Sequence, residues 1–148
     1  MVNEKEIYLI LENIPDPEIP NLNIVEMGMI SKIEVTENEI VIFLRPTYLG
    51  CPALKIIEED ILSSFKNRKV KVEVSNSPIW STDYFTAQTK EKLCQCQIAP
   101  PQNENRKIIC PRCKSSDTII KSNFGSTPCK ALWWCNNCIE PFEYFKRH

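Results

Sequence analysis

The chain of 148 residues carries a formal net charge of −1, with 18 Lys and Arg residues against 19 Asp and Glu residues. This balance gives no global field that would attract nucleic acid or an anionic membrane. The hydrophobic fraction of 43% and the charged fraction of 25% are typical of a soluble globular protein. The single histidine, His148, argues against catalytic triads and other histidine-based acid–base chemistry.

The cysteines are interpreted through the compartment that the sequence suggests. The first ten residues lack the basic and apolar regions of a secretory signal, and no apolar run is long enough to cross a bilayer. We therefore expect a cytoplasmic protein, in which thiols are kept reduced. The eight cysteines are then metal ligands or reactive thiols in the first instance, and not disulfides.

The first part of the chain has the pattern of a mixed α/β domain. In chain order, hydrophobic periodicity predicts a helix at 6–13, strands at 30–36 and 40–44, a helix at 52–65, a strand at 70–74 and a helix at 86–97. Strand, helix and strand in that order favour parallel neighbours joined by a right-handed crossover. The polar, proline-containing segment 99–107 predicts a linker. We therefore expect one domain over 1–99 and a second over 100–148.

The second domain contains C-x2-C twice, as CPRC at 110–113 and CNNC at 135–138. Two such knuckles complete a tetrahedral sulfur site. Because the segment is too short to bury an adequate core, a metal would supply much of its folding energy. Four ligands leave no open position, which predicts a structural zinc ion; iron is the competing ion for the same donors. The predicted ligands are Cys110, Cys113, Cys135 and Cys138.

Three further cysteines have weaker patterns. Cys129 lies shortly before the second knuckle, where it is either a spare ligand or redox thiol, or a small packed hydrophobe. Cys94 and Cys96 form C-x-C on a predicted helix, where positions i and i+2 point to different sides. Incidental thiols are therefore the favoured interpretation of this pair.

The aromatic residues of the second domain allow two interpretations. Trp133, Trp134 and Phe142 could stack bases, as in proteins that bind single-stranded nucleic acid. Alternatively they cover the metal site or contact a partner protein. The basic residues of this domain are scattered among acidic ones, so we favour core packing and presentation of these aromatics to a partner over nucleic-acid binding.

Cys51 occupies an unusual position in the sequence TYLGCPAL, residues 47–54. It precedes a predicted helix whose first residue would be Pro52, a residue well suited to that place. The unpaired backbone N–H groups and the positive end of the helix dipole favour a thiolate there. A thiolate can bind iron or zinc or attack an electrophile, whereas the alternative is a thiol that only closes a turn.

Several segments of the chain resemble known families. The first part resembles the iron–sulfur assembly family that includes SufT, and the tail from residue 110 resembles the family of the D subunit of bacterial phenylacetyl-CoA epoxidase. The similarity spans residues 6–146. The matching segments are DPEIP at 16–20, EMGMI at 26–30, PTYLGCPA at 46–53, PIWSTDYFT at 78–86, FGSTPCKA at 124–131 and EPFEYFK at 140–146.

The resemblance implies an α+β fold, in which a two-layer iron–sulfur-assembly domain precedes a small four-cysteine zinc ribbon. The functional thiol of the family maps to Cys51, as a transient contact for iron or an iron–sulfur cluster. Candidate auxiliary residues that match the family pattern are Thr47, Asp16, Glu18, Glu26 and the inner cysteine Cys129. One departure is Lys114, which replaces the glycine usual after the first knuckle, where the turn would be strained.

The implied function is an accessory or maturation role for a multicomponent epoxidase, with iron–sulfur or di-iron centre assembly in the client enzyme. The implied partners are the oxygenase and iron–sulfur reductase subunits and the iron–sulfur assembly machinery, with no membrane. A catalytic role is not implied, since a nucleophilic Cys51 would lack an internal histidine as its base. The alternatives are a structural or adaptor subunit of an oxygenase complex and a ribbon protein that binds nucleic acid.

Overall fold

The protein is described by a computed structural model that covers residues 2–47, 52–75, 79–102 and 107–147. The chain divides into two compact units, Met1–Tyr84 and Phe85–His148. Cys51, the cysteine singled out at the predicted helix start, lies outside the described residues.

The mixed α/β architecture predicted from the sequence is confirmed. In chain order the elements are α1 (Glu4–Leu11), β1 (Ile30–Val35), β2 (Ile40–Leu44), α2 (Ala53–Ser64), β3 (Val70–Val74), a short 3₁₀ turn (Thr82–Tyr84), α3 (Ala87–Gln95), β4 (Ile98–Ala99), β5 (Thr118–Ser122), β6 (Lys130–Cys135) and β7 (Glu140–Phe145). In the part of the chain that the structure describes, every helix falls short of the length and apolar character needed to cross a membrane.

Helix α1 begins at a side-chain cap and ends shortly before a proline. The Asn3 side chain accepts a hydrogen bond from the backbone N–H of Glu6 at 2.9 Å, which satisfies one of the free donors of the first turn. Ile7 and Leu11, four residues apart on one face of the helix, are completely buried. The helix therefore packs one apolar stripe inward.

A three-stranded sheet of order β1-β2-β3 carries the first unit. Strands β1 and β2 form the predicted antiparallel hairpin, whereas β3 pairs in parallel with β2, from Ile40 opposite Val70 to Leu44 opposite Val74. Helix α2 connects the two parallel strands and contacts β3, as parallel neighbours require. Its Ile57 and Ile61 are completely buried.

The second unit begins with α3, before the boundary that we expected at residue 99. Helix α3 contacts β4, and β4 pairs in parallel with β7 of the ribbon sheet. The Phe85 ring packs edge-on against Phe145, with centroids 5.3 Å apart. These contacts group the last helix of the expected first domain with the ribbon, because its partners lie near the C-terminus of the chain.

The ribbon itself is a four-stranded sheet of order β4-β7-β6-β5. Strands β5, β6 and β7 are antiparallel, with Cys135 at the end of β6 opposite Thr118 on one side and Glu140 on the other. The CPRC knuckle precedes β5, and the CNNC knuckle connects β6 to β7. This topology brings both cysteine pairs to the same end of the sheet.

Candidate functional site

The four ribbon cysteines converge on one point. Their sulfur atoms all lie within 4.8 Å of one another. The Sγ atoms of Cys110 and Cys138 are 3.8 Å apart, and those of Cys113 and Cys135 are 3.5 Å apart. The predicted knuckles therefore bring four soft donors together from two separate turns.

The geometry of this cluster fits a zinc ion. A tetrahedron with Zn–S bonds of about 2.3 Å places its sulfurs about 3.8 Å apart, which is close to the distances within the two pairs. Four thiolates are also the donor set of structural zinc sites. Cys110 and Cys135 are completely buried, whereas Cys113 and Cys138 are half-buried, so one side of the cluster faces the ribbon core.

The two knuckles share one backbone design. Lys114 follows the first pair with a φ of 64° and Ile139 follows the second with a φ of 58°. Each residue donates its backbone N–H at 3.0 Å to the carbonyl of the first cysteine in its knuckle, Cys110 or Cys135. Both residues adopt the left-handed conformation that favours glycine. The strain expected at Lys114 is therefore present, and Ile139 repeats it with a β-branched side chain.

The sulfur cluster has an uneven electrostatic environment. The Asn137 amide donates to the Cys113 sulfur at 3.5 Å, and this hydrogen bond is the main reason that the pKa of Cys113 falls to about 6. Desolvation, reinforced by hydrogen bonds among the neighbouring thiols, raises the pKa of Cys138 to about 12. Repulsion disfavours four adjacent thiolates, so a divalent cation is needed to hold all four sulfurs deprotonated.

Most of the ribbon aromatics belong to the metal-site core. Phe142 is only 4% exposed and lies in a cluster with Ile108, Cys110 and Cys135, against which Trp133 and Tyr144 pack. The expectation that Phe142 faces a partner is therefore wrong, whereas for the half-buried Trp133 it stays a prediction. Their pairing positions on the cysteine-bearing face of the sheet explain the result, since Trp133 lies directly opposite Phe142.

Cys129 is separated from the metal site by the length of a strand. It precedes β6, whereas Cys135 ends it, and at about 3.3 Å of rise per residue the six intervening steps span about 20 Å. Its thiol is 4% exposed and lies 2.9 Å from the Thr127 hydroxyl. Of the two interpretations left open by the sequence, this geometry favours the packed thiol over the spare ligand.

The segment around Cys129 is fixed by contacts of a buried lysine and a half-buried glutamate. Lys130 is 3% exposed, with its ammonium 3.9 Å from the Glu143 carboxylate. The same carboxylate accepts hydrogen bonds from the Ser126 backbone and hydroxyl. These contacts give the FGSTPCKA segment a structural role, which the sequence pattern alone did not indicate.

The other two cysteines stay apart from the metal site. Cys94 lies within α3, and Cys96 forms the C-cap of that helix. Burial raises the pKa of the Cys94 thiol, so it is a poor nucleophile at neutral pH. Among the described residues, neither thiol belongs to a group that could hold a metal ion.

The acidic residues singled out in the first unit make loop contacts. Asp16 is 5% exposed, and its carboxylate accepts hydrogen bonds from the backbone N–H groups of Glu18 and Ile19, each at 2.9 Å. Glu26 accepts two hydrogen bonds from Asn23, one of them at 2.7 Å from the side-chain amide. These contacts explain the loop conformation, while a role for Asp16 or Glu18 toward iron stays a prediction.

The described residues nearest to Cys51 in the sequence are Thr47 before it and Pro52 after it. Thr47 is half-buried in a bend after β2. Pro52 takes the N-cap position of α2 with a φ of −63°, one residue earlier than predicted, and forms no side-chain capping bond. The N-cap of α2 therefore directly follows Cys51 in the sequence, and no side chain at this position caps the helix.

Three segments of the first unit, around Gly28, Arg45 and Tyr84, meet in a contact that the sequence did not predict. Arg45 donates from Nε to the Gly28 carbonyl at 2.7 Å, and its guanidinium lies 3.7 Å from the centre of the Tyr84 ring. Trp80 donates to the Met27 carbonyl at 2.7 Å. The only available signal was an arginine at the end of an otherwise apolar strand, IVIFLR.

The fold and the sulfur cluster define a class of protein, in which a mixed α/β unit is combined with a zinc-ribbon unit. The family model described as "Iron-sulfur cluster assembly protein" matches residues 4–75, and "PaaD zinc beta ribbon domain" matches residues 97–146. The chain is 39% identical to the "Putative 1,2-phenylacetyl-CoA epoxidase" D subunit of Escherichia coli (strain K12), over 95% of this chain and 91% of that protein. It belongs to the family of this epoxidase D subunit.

Solved structures resemble part of this fold. A domain of unknown function, DUF59, from Bacillus anthracis matches with a TM-score of 0.57 and 28% identity, over 61% of this chain and 90% of that one. The conserved hypothetical protein TM0487 from Thermotoga maritima matches with a TM-score of 0.54 and 23% identity, over 62% of this chain and 94% of that one. The second likeness bears on the fold alone.

Proposed function

We propose that this protein is a cytoplasmic, non-catalytic accessory protein of a phenylacetyl-CoA epoxidase, and that it assists assembly of an iron–sulfur or di-iron centre in the client enzyme. The observation that carries the proposal is that two family models match the same chain. An iron–sulfur assembly domain and a PaaD zinc ribbon occur together in a chain that aligns over nearly its whole length with a protein named as an epoxidase subunit.

In this proposal Cys51 is the residue that contacts iron or an iron–sulfur cluster, which is cargo and not a resident cofactor. Support comes from its place immediately before Pro52 and α2, since free N–H groups and the helix dipole stabilise a thiolate at a helix start. Thr47 precedes it by four residues in the sequence and matches the same family pattern. Asp16 and Glu18 are proposed as auxiliary residues because they match the same family pattern.

The ribbon cysteines are proposed as ligands of one structural zinc ion. The convergence of the four sulfurs within 4.8 Å supports this assignment, because a tetrahedral thiolate site leaves no coordination position for a substrate. Zinc would hold the two knuckles together and keep the ribbon surface ordered. The remaining aromatic candidates for a partner contact are the half-buried Trp133 and Trp134, and Trp134 lies beside Ile119 across the strand pair.

The proposed partners are the oxygenase and reductase subunits of the epoxidase and the iron–sulfur assembly machinery. The test is co-expression of the client subunits with wild-type protein, with Cys51→Ser, or with Cys96→Ser as a matched control at an exposed thiol. We expect Cys51→Ser to lower the iron content and the epoxidase activity of the purified client, whereas Cys96→Ser leaves both unchanged.

A second measurement separates maturation from a purely structural role. Protein purified without oxygen is analysed for zinc, iron and acid-labile sulfide. We expect about one zinc per chain in both wild type and Cys51→Ser, with iron or sulfide bound in wild type only. If the client is fully active and fully loaded with iron when Cys51 is replaced, the maturation role is wrong. Stable co-purification under those conditions would then favour an adaptor role.

A further inference from the structure

Arg45 is a buried cation without a counter-ion in the described part of the chain. It is 7% exposed at the end of β2, and its side chain contacts the Gly28 carbonyl through Nε and the Tyr84 ring through its guanidinium. Within residues 2–47, 52–75, 79–102 and 107–147, no carboxylate lies within 4.0 Å of its guanidinium. A charge removed from water without a partner is costly, so an external anion would be strongly favoured there.

The unused donors of Arg45 are not completely covered. A guanidinium carries five N–H donors, and only the one on Nε has an acceptor among the described residues. In the same part of the chain, Trp133 Nε1 is the only fully buried side-chain nitrogen or oxygen without a partner. The two terminal nitrogens of Arg45 therefore keep some access to solvent, while the rest of the side chain is covered.

The plane of the guanidinium is fixed from two directions. The Gly28 carbonyl holds Nε, and the Tyr84 ring lies 3.7 Å from the guanidinium carbon. Gly28 has a φ of 73°, and a Cβ at this position would lie 2.7 Å from Tyr84 Cβ, so glycine is required for this arrangement. The N–H donors of the planar guanidinium are thereby held in one orientation, which reduces the entropy lost when they bind an anion.

The field of Arg45 also reaches a second polar group on α1. Burial raises the pKa of the Tyr8 hydroxyl, the Glu4 carboxylate raises it further, and the charge of Arg45 acts in the opposite direction. Tyr8 is half-buried.

We propose that Arg45 forms a binding site for one carboxylate group from outside the chain, held by the two terminal guanidinium nitrogens above the Tyr84 ring. A single planar cation matches a planar monoanion in charge and shape, because the two N–H groups can bond both carboxylate oxygens. Phosphate sites normally combine several donors and cations or a helix N-terminus. This proposal does not depend on the accessory function proposed above.

The test is a titration of the full-length, zinc-loaded protein followed by ¹H–¹⁵N NMR. The probes are sodium acetate, sodium phosphate and a terminally blocked tripeptide with a central glutamate, at constant ionic strength. Reporters are the Arg45 Nε–H resonance and the amides of Gly28 and Met29. We expect saturable shifts with acetate and the peptide, and binding about tenfold weaker in Arg45→Lys, which keeps the charge but loses the fork.

Two further variants keep the test decisive. Arg112→Lys is the matched control, because Arg112 is an exposed arginine of the second unit paired with Glu140, and it should leave carboxylate binding unchanged. If Arg45→Lys fails to fold, Tyr84→Leu retains the arginine and removes the ring, with an expected loss of about threefold.

The outcomes separate the proposal from its alternatives. Tighter binding of the peptide than of acetate would identify an acidic protein segment as the source of the carboxylate, and equal binding would identify a small carboxylic acid. Tighter binding of phosphate than of acetate would overturn the carboxylate assignment. The absence of saturable shifts, or equal affinity in wild type and Arg45→Lys, would overturn the site itself.

Discussion

The first unit buries a large apolar core between a sheet and helices, whereas the ribbon of the second unit relies on four sulfurs and few apolar side chains. Ile7, Leu11, Ile57 and Ile61 of the first unit are all completely buried. In the ribbon, two of the five members of the buried cluster around the metal site are themselves cysteines. The difference shows that helix and strand packing can stabilise the first fold, while the ribbon requires coordination bonds.

The largest expected effect is therefore loss of the ribbon when its metal is removed. Chelation, or Cys135→Ser, should unfold the region around the knuckles, because structural zinc supplies on the order of 10 kcal/mol in comparable small domains. We expect NMR signals from Ile108 to Phe142 to lose their dispersion while those of α1 and β1 remain.

The control for that experiment is Cys96→Ser, at an exposed thiol outside the sulfur cluster. It should retain zinc and the full folded spectrum. If the ribbon kept its native spectrum without any metal, the contrast between the two units would be mistaken. If both units unfolded together, the whole chain would be one cooperative system. The first unit would then also depend on the metal, and its apolar core would not be sufficient to keep it folded.

The second expected effect tests the opposite side of the contrast. Ile57→Ala should lower the free energy of unfolding of the first unit by about 3 kcal/mol, since it removes a completely buried side chain and leaves a cavity. Ile56→Ala on the same helix is the control, because Ile56 is 49% exposed and its loss should cost less than about 1 kcal/mol. Denaturant unfolding with a first-unit probe, such as Trp80 fluorescence in a variant without Trp133 and Trp134, measures both. Zinc content should be unchanged in each variant.

The features predictable from the sequence are those with a regular spacing. The apolar run of β2 and the alternation of β3, on either side of a helical segment, indicated the parallel pair, and the structure confirms it. The repeated C-x2-C spacing indicated the four-sulfur cluster, because a knuckle is a local turn whose geometry depends on few residues. The family resemblance indicated the two-domain composition, which the family matches confirm.

The features that could not be predicted depend on contacts between distant segments. The assignment of α3 to the second unit follows from pairing of Ile98 with Glu143, which no local pattern in 86–97 encodes. The burial of Phe142 follows from its register opposite Trp133, and a shift of one residue would reverse its face. The Arg45 contacts matched no motif, since its partners Gly28 and Tyr84 come from two other segments of the chain.

A third prediction concerns Gly28 in the first unit. Gly28→Ala should destabilise that unit by about 2 kcal/mol, because a side chain at a φ of 73° is strained and its Cβ would lie 2.7 Å from Tyr84 Cβ. Thermal unfolding measures the loss. The same substitution is then made in a Tyr84→Gly background. In that background Gly28→Ala should cost less stability, because the contact with Tyr84 is gone and only the backbone strain remains.

The smallest expected effect is a gain in stability at the knuckles. Ile139→Gly should stabilise the zinc-bound ribbon by about 1 kcal/mol, because Ile139 is held at a φ of 58° and glycine accepts this conformation without steric cost. Its side chain is 68% exposed, so little apolar burial is lost. Lys114→Gly should act in the same direction but more weakly, since the Lys114 ammonium also donates to the Pro111 carbonyl at 3.3 Å.

The measurement is competition for zinc with a chromophoric chelator, together with thermal unfolding of the loaded protein. Ile119→Gly is the matched control, because Ile119 is an exposed isoleucine on a regular strand, where glycine should weaken the ribbon. A gain at residue 139 with a loss at residue 119 would show that the left-handed turns, and not the exposed isoleucines, limit the stability of the ribbon. Equal losses at both positions would mean that coordination by the four sulfurs already removes any effect of the backbone strain.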